Sequence, residues 1–129
     1  MSKMDKKKQL LLIDDNEVFL TVAQNMLKND YEVVTRTSGK DAIELLYKKE
    51  FPDIILLDIL MPKMDGWETF KRIKTIGFLI NIPIVFITSL KDEESKKHAY
   101  ELGANGYIRK PFEKEDLMEK LDAILQERA

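Results

Sequence analysis

Residues Ile54–Leu57 read IILL, and the same unbroken apolarity recurs in Gln9–Ile13 (QLLLI) and Ile84–Thr88 (IVFIT). Short apolar runs without polar alternation mark strands covered on both faces, as in a parallel sheet. Glu32–Arg36 (EVVTR) alternates more and is expected at a sheet edge. Tyr107–Arg109 is read as a short last strand.

Helical patterns fill the gaps between these runs. Val18, Phe19, Val22, Ala23, Met26 and Leu27 recur at helical spacing and form one apolar stripe. Ser38 followed by Asp41 reads as an N-cap with an acidic first turn, leading into Ala42, Leu45 and Leu46. Phe70, Ile73 and Ile76 follow Gly66, and Leu117, Leu121, Ile124 and Leu125 form a last helix. Asp92–Leu102 is charged, with Ala99 and Leu102 as its clearly apolar residues, and is expected to be the most loosely held helix. Strand and helix signals in alternation imply an α/β fold with a mainly parallel sheet and helices on both faces.

The bulk properties agree with one ordinary domain. The chain has 129 residues, 44% hydrophobic and 34% charged, with 21 basic and 23 acidic side chains for a net charge of −2. Such a chain buries most of its apolar surface without covalent staples. It has no cysteine, which excludes disulfides and thiolate metal sites. No apolar run is long enough to span a bilayer, no signal-peptide pattern precedes the domain, and a cytoplasmic location is expected. The charge balance carries no nucleic-acid footprint, so direct nucleic-acid binding is not expected. Residues 1–8, with Lys3, Lys6, Lys7 and Lys8, read as a basic, solvated lead-in to a single domain over residues 9–127.

Ligands of open α/β sheets bind beyond the carboxyl ends of the strands. Asp14 and Asp15 end the first strand, Asp58 the third, Thr88 the fourth and Lys110 the fifth. Any one polar residue after a buried run is ordinary; Asp15 or Asn16 also suits the role of N-cap for the first helix. The convergence of three carboxylates, a hydroxyl and an amine is much harder to obtain from packing alone. Clustered carboxylates repel one another, and a hard divalent cation relieves the repulsion. Oxygen ligands without His or Cys select magnesium or a similar ion. An amine and a hydroxyl supply charge and a directional hydrogen bond to phosphoryl oxygens. A carboxylate can itself act as the nucleophile and become an acyl phosphate. The residue types therefore suggest phosphoryl transfer onto an aspartate.

The segments LLIDDNE (Leu11–Glu17), ILLDILMPKMDGWE (Ile55–Glu68), IPIVFITS (Ile82–Ser89) and GANGYIRKPF (Gly103–Phe112) resemble, in order and spacing, the receiver domains of two-component response regulators. The resemblance covers nearly the whole chain. It implies a flavodoxin-like, doubly wound (βα)5 fold with five parallel strands in the order 2-1-3-4-5, an order known for this family. It implies Asp58 as phosphoacceptor and Mg2+ as cofactor, with Mn2+ able to substitute. Asp15, Asp58 and the backbone carbonyl of Leu60 would bind the metal directly, and Asp14 through a water. Thr88 and Lys110 would contact phosphoryl oxygens, Thr88 and Tyr107 would form the switch, and Lys110–Pro111 would be a cis peptide. The implied partners are a sensor histidine kinase or phosphotransfer protein, and a downstream protein target or fused output domain. A phosphorylation-dependent dimer also belongs to this picture. The exposed face of the first helix, with Glu17, Leu20, Thr21 and Gln24, is the expected docking surface for the donor.

Several residues carry further expectations. Leu60 and Leu90 stand two positions beyond Asp58 and Thr88, where the family often has polar residues, and are expected to exclude water and lengthen the phosphorylated lifetime. Ile76–Ile82 (IGFLINI) is unusually apolar for a loop; Phe78, Leu79 and Ile80 are expected to cover the core rather than form an interaction patch. His98, the one histidine, is expected in solvent, and Trp67 at the start of the third helix. Gly66, Gly103 and Gly106 are read as backbone positions, for turns or positive φ. An aspartate-nucleophile phosphatase would place a second aspartate where Leu60 stands. A flavodoxin-like cofactor binder would have a glycine- and hydroxyl-rich first loop, where this chain has Asp14, Asp15, Asn16 and Glu17. A pseudo-receiver scaffold would have no need for the full acidic and lysine set.

Overall fold

The computed structural model describes residues 6–128. Five strands alternate with five helices: β1 (Lys8–Ile13), α1 (Glu17–Leu27), β2 (Tyr31–Arg36), α2 (Gly39–Tyr47), β3 (Ile54–Asp58), α3 (Gly66–Lys74), β4 (Ile84–Thr88), α4 (Glu93–Leu102), β5 (Gly106–Arg109) and α5 (Lys114–Arg128). All strand pairings are parallel, in the order β2-β1-β3-β4-β5, so the fold is the flavodoxin-like one expected. β2 lies at one edge and is mostly half-buried, which is why its sequence alternates.

Strand periodicity divides the core into two layers. Leu10, Leu12, Ile54, Leu56, Val85 and Ile87 pack on one face with Leu20, Ala23 and Leu27 of α1 and Leu117 and Leu121 of α5. Leu11, Ile13, Ile55, Leu57, Ile84 and Phe86 pack on the other, against α2, α3 and Ala99 of α4. Both sets of strand side chains are therefore apolar, and that produces the unbroken runs in the sequence. Each fully buried Leu, Ile or Phe stabilises the fold by roughly 1.5–3 kcal/mol.

The local signals at helix starts act as expected at Ser38, whose side chain accepts a hydrogen bond from the Asp41 amide. Asn16, Asp65 and Asp92 cap α1, α3 and α4 in the same way. The first-helix stripe needs correction. Val18 and Val22 are 73% and 53% exposed, whereas Leu20, assigned to the outer face, is buried. The spacing of Leu20, Ala23 and Leu27 is as helical as that of the expected stripe, and the sheet selects it. Lys8, counted with the lead-in, is the first residue of β1. Lys3 lies outside the described residues, and the Lys7 amine donates to the Lys28 carbonyl.

The loop after α3 is divided. A 3-10 turn, Gly77–Leu79, buries Leu79, with Ile76 and Ile82 beside it, and turns Phe78 and Ile80 outward. Phe78 lies against Phe51, with ring centroids 5.2 Å apart. Coverage of the core thus falls to Leu79, not to Phe78 or Ile80. α4 buries just Ala99, in line with a loosely held helix. His98 is exposed but its ring meets Trp67 edge-on at 4.6 Å, and Trp67 in turn packs on Phe86.

The glycines differ in their reasons. Gly103 caps α4 at φ 105°, in the left-handed region. Gly66 has no such φ; a Cβ there would come within 2.2 Å of the Asp58 carbonyl oxygen and 2.6 Å of the Ile59 Cα. Gly66→Ala is therefore expected to lower the unfolding free energy by roughly 2–3 kcal/mol, because backbone atoms cannot yield as a flexible side chain does. Gly103→Ala meets open space and should cost about 1 kcal/mol, from backbone strain alone. Urea denaturation of the two variants checks this; equal losses contradict it.

Candidate acidic site

The loops after β1, β3 and β5 meet at the carboxyl edge of the sheet, with Lys110 reaching past β4 from the edge strand β5. One carboxylate oxygen from each of Asp14, Asp15 and Asp58 lies within 4.8 Å of the others. Asp14 and Asp58 are buried, at 1% and 5% exposure, and Asp15 is exposed. The Lys110 ammonium lies 2.6 Å from Asp14 Oδ2 and 3.9 Å from Asp58 Oδ1. Its strongest partner is thus Asp14, not Asp58. The other Asp14 oxygen accepts the Asn16 amide at 2.9 Å, so both Asp14 oxygens are engaged. Asp15 makes no hydrogen bond or ion pair among the described residues. Asn16, rather than Asp15, caps α1.

The backbone holds this edge in place. The Lys110 amide donates to the Thr88 carbonyl at 2.7 Å, which ties the end of β5 to β4, and the Lys110–Pro111 bond is cis. Beyond Asp58 the chain turns back at once, with the Gly66 amide on the Ile59 carbonyl at 2.8 Å. Lys63 takes a left-handed φ of 69° in this loop. Leu60 projects outward, 53% exposed. Thr88 is fully buried at the end of β4, and its Oγ1 accepts the Leu90 amide at 3.1 Å. Leu90 is half-buried against the core.

Burial and the neighbouring Asp14 charge push the Asp58 carboxyl up to about 6; Lys110 and the Ile59 amide oppose this and Asp15 adds to it. An acid held at that value titrates close to neutrality, which marks a reactive or ion-binding group more often than a structural one. The donor set is all oxygen, carries more negative charge than Lys110 balances, and is open to solvent at Asp15. A divalent cation fits such a set.

Tyr107 stands apart. It is 6% exposed and lies in the core layer beneath α4. Its hydroxyl is buried with no hydrogen-bond partner of good geometry among the described residues, and burial raises its pKa. Two side chains at the site were given no role there by the sequence. Phe19, placed in an apolar stripe, has its ring centroid 3.9 Å from the Lys110 ammonium. Phe112 meets that ring edge-on, at 6.2 Å and 86°. The signal for Phe19 was its place one helical turn beyond Asp15, which only the fold makes meaningful.

The chain matches the family described as the response regulator receiver domain over residues 10–122. It is 37% identical to the chemotaxis protein CheY of Halobacterium salinarum over 92% of this chain and 97% of that one. It is 41% identical to the transcriptional regulatory protein CrdR of Helicobacter pylori over 87% of this chain, and spans about half of that protein's length. Among solved structures, the phosphorylated cyanobacterial phytochrome response regulator RcpA is similar, with a TM-score of 0.77 and 33% identity over 92% of this chain and 91% of that one. No helix among the described residues is long and apolar enough to cross a membrane.

The raised Asp58 value has a consequence for stability. The unfolded chain releases this proton near 3.8 and the folded chain near 6, so Asp58 favours folding below the lower value and opposes it once pH passes the upper one. Asp58→Asn is expected to stabilise the metal-free protein at neutral pH by roughly 1–2 kcal/mol, less than the full shift because water screens the open side of the site. The gain should vanish in acid. Chemical denaturation across this range measures it, and a gain independent of pH contradicts the electrostatic account.

Proposed function

We propose that this chain, which belongs to the response regulator receiver domain family, is a phosphorylation switch that accepts a phosphoryl group on Asp58 in a magnesium-dependent reaction. The observation that carries the proposal is the grouping of Asp14, Asp15 and Asp58 with Lys110 reaching toward Asp58. The donor is a phosphohistidine of a sensor histidine kinase or phosphotransfer protein. The exposed face of α1, with Glu17, Val18, Thr21, Val22 and Gln24, supports donor docking; Leu20 is buried and takes no part.

In the transfer, a deprotonated Asp58 oxygen attacks phosphorus. The phosphorus–nitrogen bond of the donor breaks, the electron pair leaves with the imidazole, and an acyl phosphate remains. Lys110 supplies positive charge beside the phosphoryl oxygens, and the Thr88 hydroxyl a directional hydrogen bond. Asp15, Asp58 and the Leu60 carbonyl would hold Mg2+, or Mn2+ in its place, which would supply positive charge to the transferred group. Asp14, engaged by Lys110 and the Asn16 amide, is suited to an indirect role. Water then cleaves the acyl phosphate to the Asp58 carboxylate and inorganic phosphate, which resets the switch; the chain acts as a signalling switch rather than a metabolic enzyme. Leu60 in place of a second aspartate argues against a phosphatase.

The output is a population shift. Movement of Thr88 toward the phosphoryl group frees space above Tyr107 and alters the surface of α4, β5 and α5. Signalling proceeds in the cytoplasm through a protein target, a fused output domain or a phosphorylation-dependent dimer.

Incubation with acetyl phosphate and Mg2+ is expected to add the mass of one phosphoryl group, and omission of Mg2+ or the change Asp58→Asn to abolish it. Undiminished labelling of Asp58→Asn overturns the proposal. Leu60 and Leu90 together limit the approach of water, and polar replacement of both, Leu60→Asn with Leu90→Glu, is expected to shorten the phosphorylated half-life about tenfold, or about 1.4 kcal/mol of barrier. An unchanged half-life rejects that role.

A further inference from the structure

We infer that Phe19 is a positioning residue for Lys110, holding the ammonium against its aromatic face so that it stays beside Asp58. The inference rests on the phosphoacceptor reading and adds a residue to it.

The Lys110 ammonium has three close neighbours. Asp14 Oδ2 lies at 2.6 Å, Asp58 Oδ1 at 3.9 Å and the Phe19 ring centroid at 3.9 Å. The ring distance is well inside the range at which an aromatic quadrupole attracts a cation. Phe19 sits in the first turn of α1, behind the Asn16 cap, and is half-buried. Phe112 abuts it edge to face, the favoured geometry for an aromatic pair, and fixes the ring plane. The seat is therefore built from two elements that meet only in the folded chain, α1 and the segment that follows β5.

Lysine needs such a seat more than arginine would. Its charge is compact, strongly hydrated and carried on a flexible four-carbon stem. Unsupported, the ammonium can turn to water or settle wholly on Asp14, its closest anion. An aromatic face attracts the charge without offering a lone pair, so the N–H donors remain free for carboxylate and phosphoryl oxygens. It also keeps water from that side of the ammonium, which preserves the field at Asp58. An aliphatic side chain of similar volume excludes water but supplies no attraction to the charge. Aromaticity is therefore the property that matters, and this separates positioning from core filling.

The test compares Phe19→Tyr and Phe19→Trp with Phe19→Leu and Phe19→Met in the full chain. NMR of the Lys110 ε-methylene protons should show an upfield ring-current shift in the parent, retained with Tyr or Trp and lost with Leu or Met. Labelling by acetyl phosphate and Mg2+ should slow about fivefold with Leu and Met, and stay within about twofold of the parent with Tyr and Trp. In a Lys110→Ala background, Phe19→Leu should cause no further slowing, whereas a merely structural role makes the two losses add. Parent-like labelling of Phe19→Leu, equal losses in all four variants, or additive losses overturn the inference. If the parent itself takes no phosphoryl group, the phosphoacceptor reading fails, and the ring-current shift alone then decides the seat: its absence overturns it.

Discussion

The contact between Lys110 and Asp14 bridges the sheet's carboxyl edge from β1 to β5, and most of the site's properties follow from it. The pair brings the loop after β1 against the residue that follows β5, across the intervening β3 and β4. Asp14 is almost fully buried, so its charge would be costly without a partner, and removal of Lys110 would leave it an unpaired buried ion. Yet the pair does not neutralise the site. Asp58 and Asp15 remain, and Lys110 stands farther from Asp58 than from Asp14. The fold thus keeps Asp58 in an environment that resists its ionisation, which is a store of unfavourable electrostatics at the point proposed to bind metal and phosphate.

The rest of the molecule makes that store tolerable. Two apolar layers, one on each face of the sheet, are filled by aliphatic and aromatic side chains, among which Tyr31 and Tyr107 carry a hydroxyl. Against a net stability of about 5–15 kcal/mol, a local cost of about 1–2 kcal/mol is appreciable but leaves the fold intact. The cluster is confined to loop ends, where strands stop and backbone groups are satisfied by neighbouring carbonyls, as in the Lys110 amide on Thr88.

What was legible in the sequence follows the same division. Continuous apolar runs identified β1, β3 and β4 because a doubly covered sheet leaves no polar face. Acidic residues, threonine and lysine at the ends of those runs located the site, because strand ends in a parallel sheet fall on one edge. The orientation of α1 was not legible: Leu20, Ala23 and Leu27 compete with Val18 and Val22 as helical stripes, and only the sheet decides between them. In the loop after α3, hydrophobicity was visible but direction was not, and Leu79 points inward while Phe78 and Ile80 point out. The left-handed Lys63 carried no sign either, since that conformation usually announces itself by glycine or asparagine. Phe19 was read correctly as an apolar residue, but its second role depends on a lysine distant in sequence.

Loose attachment of α4 gives the proposed switch its physical basis. Ala99 is the one buried residue of this helix; Leu102 packs half-buried on the core, and the other holds include the His98–Trp67 ring contact and the bonds from Arg109 to the Asp92 carbonyl and, in an ion pair at 3.0 Å, to Glu93. An ion pair so exposed contributes little to stability, so α4 moves at small energetic cost. Beneath it, Tyr107 is enclosed, its hydroxyl has no well-formed hydrogen bond among the described residues, and a poorly satisfied buried hydroxyl is unfavourable. An outward turn of the ring would return that hydroxyl to water but uncover apolar ring surface. The two terms are of similar size and opposite sign. A side chain balanced in this way responds to small changes in the space around Thr88, as the proposed coupling between the acidic site and the α4–β5–α5 surface requires.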